Sequence, residues 1–234
     1  LLQKTYDSFA RNGALLKGAD RDTYRTLSAR LSELTNKFGQ NVLLELNTYE
    51  IWLKADDLDG LPESSVEAAA LAAKEKGREG EYLFTLAQPT YLAFMKYSTR
   101  RDLREKMYRL YNGRNLKGEY DNTGVIRDIV NTRLAIACLL GYDSYADYAL
   151  ERTMAEKPAN VTNLLDQLRD AYRPTQLAEF DELTRFANTK GLKGAIEPWD
   201  YSFYSNLLRQ ERYAFDEEQL RPYFELNNVV DGVF

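Results

Sequence analysis

The sequence contains no histidine and a single cysteine in 234 residues. Without histidine there is no imidazole general base, no Ser-His or Cys-His nucleophile pair and no histidine ligand for a metal. One cysteine cannot form an intrachain disulfide. Because Cys138 lies in the apolar stretch LAIACLLG, we expect a buried small side chain and not a reactive thiol. The residues therefore predict no catalytic, cofactor-binding or metal site within the chain.

Long apolar runs and an excess of positive charge are also missing. No apolar run approaches the roughly 18 residues of a membrane span, and no basic-then-apolar signal pattern opens the chain. Lys and Arg total 31 against 36 for Asp and Glu, and the resulting net charge of −5 disfavours a nucleic-acid binder. With 44% hydrophobic residues the chain can bury a sizeable core. We expect no membrane or nucleic-acid partner, and we expect a cytoplasmic location, with the periplasm as the alternative.

Apolar residues recur at steps of three and four along most of the chain, which is typical of helices. One long helix is expected from Asp20 to about Lys54, and another is expected to be kinked or split by Pro174. Glu81 to Leu86 has the aromatic content of a strand and is the one strand candidate. The sequence shows no repeat and no linker. It predicts an all-α fold, one unit over residues 1–234, with a minor extended segment near residues 81–87.

The segment KADDLDGLPESSV, residues 54–66, partly matches a calcium-binding loop. If Gly60 takes the sixth position of an EF-hand, Asp57 and Asp59 take positions three and five. However, Ala55 would then stand at position one and Val66 at position twelve, where carboxylates are required. We interpret the segment as an acidic turn that caps the following helix.

Three other groups of residues could carry a function. The most basic stretch could form an anion or phosphate surface, or a solvated helix face whose arginines pair with acids, and we favour the second reading. The carboxylates in DEEQL fit the capping of a helix start. The 17 tyrosines could line a peptide groove or pack half-buried between helices, and again we favour the second. The basic stretch comprises Arg100, Arg101, Arg104, Lys106, Arg109, Arg114 and Lys117, and the carboxylates are Asp216, Glu217 and Glu218.

The two ends resemble cuts through a longer polypeptide. In LRPYFELNNVVDGVF, Asn227 or Asn228 looks like a helix N-cap, and an apolar stripe begins behind it. The first residues, LLQKTYDSFA, start inside an apolar pattern without an initiator methionine. We expect these apolar ends to contact segments outside the chain. In the isolated chain we expect the last helix to fray, the patch to be covered by the chain itself, or the chain to self-associate through it. The residues concerned are Leu1, Leu2, Val229, Val230, Val233 and Phe234.

The C-terminal stretch also carries a resemblance to a known family. Pro198-Trp199-Asp200, then Tyr201-Ser202, then LRPYF at 220–224 resemble the M3 family of zinc metallopeptidases in the same order. Further stretches agree collinearly over essentially the whole chain, among them KFGQNVLLELNTYEIWL, QPTYLAFMKYSTRRDLREKMYRLYNGR and YDNTGVIRDIVNTRLAIACLLGYDSYADYALERTMAEKPANV. Within the family, PYFELNNVVDGVF and YDSFARNGALL are most similar to the bacterial peptidyl-dipeptidase branch.

The resemblance implies a zinc enzyme, but one whose zinc site lies outside this chain. In the family, a His-Glu-x-x-His helix and a Glu from a following helix hold the metal, C-terminal to the stretch that ends at Phe234. It implies that residues 1–234 form part of a neurolysin-like helical shell along a channel for short peptides. Zinc and the peptide substrate belong to the parent enzyme. The alternatives are a non-catalytic helical interaction module and a regulatory domain that binds anions through residues 100–117.

Overall fold

The computed structural model describes residues 2–214 and 217–233, and it confirms the all-α prediction. A π-helical turn, Ala10–Ala14, follows the first helix, and 3₁₀ turns occupy Ala55–Asp57 and Glu217–Phe224. The described helices are α1 (Leu2–Phe9), α2 (Gly18–Leu46), α3 (Glu63–Glu75), α4 (Gln88–Tyr97), α5 (Arg101–Asn112), α6 (Thr123–Leu139), α7 (Tyr145–Leu150), α8 (Pro158–Thr189), α9 (Tyr201–Tyr213) and α10 (Leu226–Val233).

The chain divides into two compact units. Unit one comprises Leu1–Glu45 and Arg114–Pro174, and unit two comprises Leu46–Gly113 and Thr175–Phe234. The chain passes between the units without a Gly- or Ser-rich linker, so composition gave no sign of this division. That the whole span is one portion of a longer polypeptide stays a prediction.

Unit one is held by a small apolar core and a buried polar network. Leu34 of α2 packs with Val125 and Ile129 of α6. Beside them, Asn41 donates from its side-chain amide to the Asn122 side chain at 2.8 Å. The Asn122 amide in turn donates to the Phe38 carbonyl at 3.2 Å. These buried amides need partners because an unpaired buried polar group costs free energy, so the network fixes how α6 sits on α2.

Unit two is built around a two-stranded antiparallel sheet. Strand β1 (Ile51–Leu53) pairs with β2 (Tyr82–Phe84), with Ile51 opposite Phe84 and Leu53 opposite Tyr82. The main core packs on this pair and draws on α3, α4, α5 and Trp199. A second cluster joins Leu183 and Ala187 of α8 to Tyr204 of α9.

The extended segment predicted near residues 81–87 is confirmed by β2, but its partner strand was missed. The sequence placed residues 47–54 in a helix, whereas α2 ends at Leu46 and Ile51–Leu53 form β1. The alternating burial of Ile51, Trp52 and Leu53 covers only three residues. So short an alternation cannot be separated by eye from the helical pattern of Leu43, Leu44 and Leu46 that precedes it.

Two predicted helix features, a split at Pro174 and an asparagine N-cap near the end of the chain, are not found. Helix α8 continues through Pro174 without a break, and a kink there stays a prediction. Proline removes one helical hydrogen bond and frees the carbonyl four residues earlier, which is that of Asp170. Residues 167–181 are all exposed, so water can bond that carbonyl. Helix α10 begins at Leu226, and Val229 donates its N–H to the Glu225 carbonyl, so Asn227 and Asn228 lie inside the first turn and are not caps.

Leu1, Phe234 and Asp216 lie outside the described residues, and so does the side chain of Glu217. Leu2, Val229, Val230 and Val233 are exposed. Whether segments outside the chain cover them stays a prediction. Among the described residues, no helix is long and apolar enough to cross a membrane.

Candidate functional site

The most deeply buried charges of unit two belong to a single ion-pair centre. The carboxylate of Asp200 has no exposed surface and the Arg104 side chain is 1% exposed. Arg104 donates to one carboxylate oxygen at 3.0 Å, and Arg101 donates to the other at 2.7 Å. The pair therefore joins the start of α5 to the residue just before α9.

Every part of the Arg104 guanidinium has a partner. It donates to the Trp199 carbonyl at 3.1 Å and to the Ser98 carbonyl at 2.7 Å, and it lies 4.1 Å from the centre of the Phe203 ring. The N–H of Glu197 completes the shell of the Asp200 carboxylate at 3.2 Å. A buried ion pair that is this fully bonded fixes the geometry of its surroundings, which is a structural role. We call these groups the Arg104–Asp200 centre.

The charge state of the centre follows from its partners. Burial acts to raise the pKa of Asp200, but the hydrogen bonds from Arg101, from the Glu197 N–H and from Arg104 outweigh it. The net result is an Asp200 pKa below its ordinary value, so the carboxylate is ionised at neutral pH. A permanently ionised and fully paired carboxylate cannot serve as a general acid near neutral pH.

The rest of the basic stretch is also largely paired within the chain. Arg100 contacts Asp57 and Asp102, and Arg109 contacts Glu105 at 2.8 Å. Lys106 and Lys117 are exposed. These pairs favour a helix face that pairs with acids over an anion-binding surface across residues 100–117, in line with the preferred reading of the sequence.

The acidic turn has structural partners as well. The Asp57 carboxylate accepts the Lys54 N–H at 3.2 Å, and the Asp59 carboxylate accepts the Thr99 hydroxyl at 2.6 Å. Gly60 has φ +83° and lies against the backbone of Tyr97. Over residues 2–214 and 217–233, no three His, Cys, Asp or Glu side chains come together as a metal site would need. The carboxylates of Asp57 and Asp59 are therefore engaged with groups of the chain itself.

The predicted burial of Cys138 is wrong, because its side chain is exposed. That it is not a reactive thiol stays a prediction. The buried face of α6 is formed by Val125, Ile129, Thr132 and Ile136, at helical spacing. Cys138 stands two positions beyond Ile136, which is about 200° around a helix with 3.6 residues per turn. It therefore lies on the opposite face, and an apolar neighbourhood in sequence did not distinguish the two faces.

Most tyrosines pack half-buried between elements. Tyr91 and Tyr111 stack with ring centres 3.8 Å apart, and Tyr108 meets Trp199 edge to face at 6.0 Å. These contacts support the packing interpretation over a peptide groove lined with tyrosine. Tyr204 is the fully buried case, next to the Arg104–Asp200 centre.

A groove of about 410 Å³ opens beside β2 in unit two. Mostly small side chains of α3 and α4 line it, together with larger ones from β2 and Glu218. They are Ser64, Ser65, Ala68, Ala69, Ala72, Pro89, Thr90 and Ala93 on the helices, and Leu83, Phe84 and Thr85 at the strand. Glu218 is the one ionisable group among these residues. A groove with a single carboxylate can contact a ligand, but it offers no acid–base pair and no activated nucleophile.

Sequence patterns did not predict the Arg104–Asp200 centre. The arginines were identified only as members of a basic stretch, and Asp200 only as part of the Pro-Trp-Asp order. The two partners lie 96 positions apart, so periodicity could not connect them. The Trp-Asp pair directly before a helix marks Asp200 in the sequence, but it does not identify Arg101 or Arg104 as its partners.

Comparison with known proteins assigns the chain to a family. The profile of Peptidase family M3 matches residues 94–234. Oligopeptidase A of Haemophilus influenzae is 37% identical over 239 residues, covering 100% of this chain and 35% of that protein. Probable cytosolic oligopeptidase A of Arabidopsis thaliana is 35% identical, covering 95% of this chain and 33% of that protein. Dipeptidyl carboxypeptidase of Escherichia coli is 30% identical, covering 100% of this chain and 35% of that protein.

The chain belongs to Peptidase family M3, as the resemblance predicted. It spans about a third of the length of these relatives. The finer assignment to the peptidyl-dipeptidase branch is not supported, because identity to oligopeptidase A is 37% and identity to dipeptidyl carboxypeptidase is 30%. The short tail and front segments on which that assignment relied are a small sample of the chain.

Proposed function

We propose that the full-length protein is a zinc-dependent peptidase that cleaves short peptides, and that this span is part of its helical scaffold without catalytic groups of its own. The observation that carries the proposal is the match to Peptidase family M3 over residues 94–234. The relatives are named oligopeptidases and a carboxypeptidase, which is the reason for choosing short peptides as the substrate class. The higher identity to oligopeptidase A favours the oligopeptidase type of cleavage.

The scaffold role is supported by how this span uses its polar groups. The Arg104–Asp200 centre, the Asn41–Asn122 network and the acidic turn each bond groups of the same unit. The sequence has no histidine, and its described part has no cluster of metal ligands. Zinc is therefore proposed for the parent enzyme on ligands beyond this span.

The proposal extends to location and partners. The names of the oligopeptidase A relatives include both cytosolic and organellar proteins and so do not select a compartment. A cytoplasmic location for the full-length protein, with the periplasm as the alternative, stays a prediction. The net charge of −5 supports the absence of a nucleic-acid partner.

Peptide hydrolysis by the full-length protein is the test. We expect the purified, zinc-loaded protein to cleave internally quenched peptides of about ten residues, to lose this activity with a chelator and to recover it with added zinc. The control is the same cleavage sequence placed inside a folded domain, which should stay intact. If the zinc-loaded protein binds such peptides but cleaves none of them, the non-catalytic interaction module is the better description and the proposed function is wrong.

A further inference from the structure

A second cavity, in unit one, has a different chemistry from the groove beside β2. Its volume is about 430 Å³, and it is lined from one side by α1 and the turn after it and from the other by α7 and the residues that follow. Lys4, Arg11 and Arg152 contribute positive charge to its wall, and Asp7 contributes one carboxylate. The neutral polar groups come from Ser8, Asn12 and Tyr148. Three cationic side chains around one cavity are unexpected in a chain with a net charge of −5.

Acidic neighbours neutralise only part of this charge. Arg152 donates to the Asp7 carboxylate at 2.8 Å, and its Nε lies 3.9 Å from the Glu151 carboxylate. The Nε of Arg11 lies 3.3 Å from the same Glu151 carboxylate. Three cations therefore face two carboxylates. Lys4 forms no ion pair with any residue in the described part of the chain.

The two guanidinium groups are held in place before any ligand arrives. The guanidinium of Arg11 donates to the Tyr148 carbonyl and lies 4.8 Å from the centre of the Tyr148 ring. Its Nε is buried and, within residues 2–214 and 217–233, makes no hydrogen bond. A guanidinium carries five N–H groups in a fixed fork, so Arg11 and Arg152 keep N–H groups beyond those used here. Preorganised donors of this kind bind anions with little loss of conformational entropy.

The helix dipole of α7 explains one of these contacts, because a cation is favourable at the C-terminal end of a helix. The Tyr148 carbonyl belongs to the last turn of α7, where a cation is favourable. This accounts for Arg11, but not for Lys4, which stands on α1 with no acidic partner. It also does not account for a cavity much larger than one water molecule.

We propose that this cavity binds a phosphate group carried on a small polar molecule. Lys4, Arg11 and Arg152 supply the cationic donors for the phosphate oxygens. The volume exceeds that of the phosphate alone, and Ser8 and Asn12 offer hydrogen bonds to hydroxyl groups on the remainder of the ligand. The inference does not depend on the proposed peptidase activity, since none of these residues belongs to a catalytic or metal site.

Binding of inorganic phosphate to the full-length protein tests the inference, measured by isothermal titration at an ionic strength held constant with sodium chloride. We expect saturable binding that Lys4→Gln and Arg152→Gln each weaken about tenfold, the loss of one charge-assisted hydrogen bond. Lys4 has no ion pair, so Lys4→Gln should not disturb folding.

Matched controls remove the same charges elsewhere in unit one. Lys17→Gln deletes an exposed lysine, and Arg25→Gln deletes an arginine paired with Asp22 at 3.8 Å. Both should bind phosphate like the wild type. The inference is overturned if phosphate shows no saturable binding, if the controls weaken binding as much as the cavity variants, or if acetate binds as tightly as phosphate, which would mark a carboxylate site instead.

Discussion

Asp200→Asn should lower the free energy of unfolding by about 3–5 kcal/mol, because it leaves the buried guanidinium of Arg104 without its counter-charge. Asparagine keeps the shape of the side chain, so the loss measures charge and hydrogen bonding and not a cavity. Both tryptophans of the sequence, Trp52 and Trp199, lie in unit two. Their fluorescence during urea unfolding therefore reports on the unit that contains the substitution.

The matched control is Asp102→Asn. Asp102 also pairs with an arginine of the same region, Arg100 at 2.8 Å, but its side chain is 63% exposed. Solvent screens such a pair, so this variant should unfold close to the wild type. If both variants lost the same free energy of unfolding, burial would not make the Asp200 ion pair more important than the exposed one, and this would contradict the structure.

The wild type and Asp200→Asn also test how the free energy of unfolding depends on pH. A carboxylate whose pKa is lowered on folding stabilises the protein above its unfolded pKa, near 3.9, and loses this effect as the pH falls through the folded value. The wild type should therefore lose its advantage over Asp200→Asn as the pH falls below about 4. A stability difference that stays constant from about pH 6 to about pH 2 would contradict the assigned ionisation of Asp200.

Gly60→Ala should destabilise unit two by roughly 2–5 kcal/mol, from two additive causes. The backbone of Gly60 has φ +83°, where an L side chain is strained. A Cβ at this position would also lie 2.3 Å from the Tyr97 carbonyl oxygen and 2.9 Å from the Thr99 side chain. The loop cannot easily move away, since Thr99 donates its N–H to the Asp59 carbonyl at 3.1 Å.

Gly77→Ala separates the two causes. Gly77 has φ +75°, but nothing lies within 4 Å of its added Cβ. This variant should carry the backbone strain alone, about 1 kcal/mol. The comparison uses the midpoints of urea unfolding of the two variants. If Gly77→Ala proves as destabilising as Gly60→Ala, the close packing of the acidic turn against the end of α4 is not what holds Gly60.

The helices could be predicted from the sequence because each carries its own periodic signal. The stripe through Tyr24, Leu27, Leu31 and Leu34 defines α2 without reference to any other element. Strand β1 had no such local signal, because a three-residue strand is defined by its partner, 29 to 33 positions away at Phe84, Leu83 and Tyr82. The local sequence pattern therefore predicted the helices and strand β2, and it missed strand β1.

Buried polar contacts were beyond sequence reasoning for the same reason. Asn41 and Asn122 are 81 positions apart and read as two ordinary polar residues until folding joins them. Asp200 stands directly before α9, where an aspartate is expected to cap the helix, yet its carboxylate makes no capping bond and binds Arg101 and Arg104 instead. That this span holds no catalytic residues stays a prediction, and it rests on a sequence without histidine and with one cysteine.

The most direct test of the account is the zinc content of the isolated 234-residue chain, measured by elemental analysis after dialysis and compared with the full-length protein from the same preparation. The account predicts about one tightly held zinc per full-length molecule and none on the isolated chain, because this sequence has no histidine and its described part groups no three metal ligands. The account is contradicted if the isolated chain retains one equivalent of zinc and a substitution within residues 1–234, such as Asp59→Asn in the acidic turn, removes it.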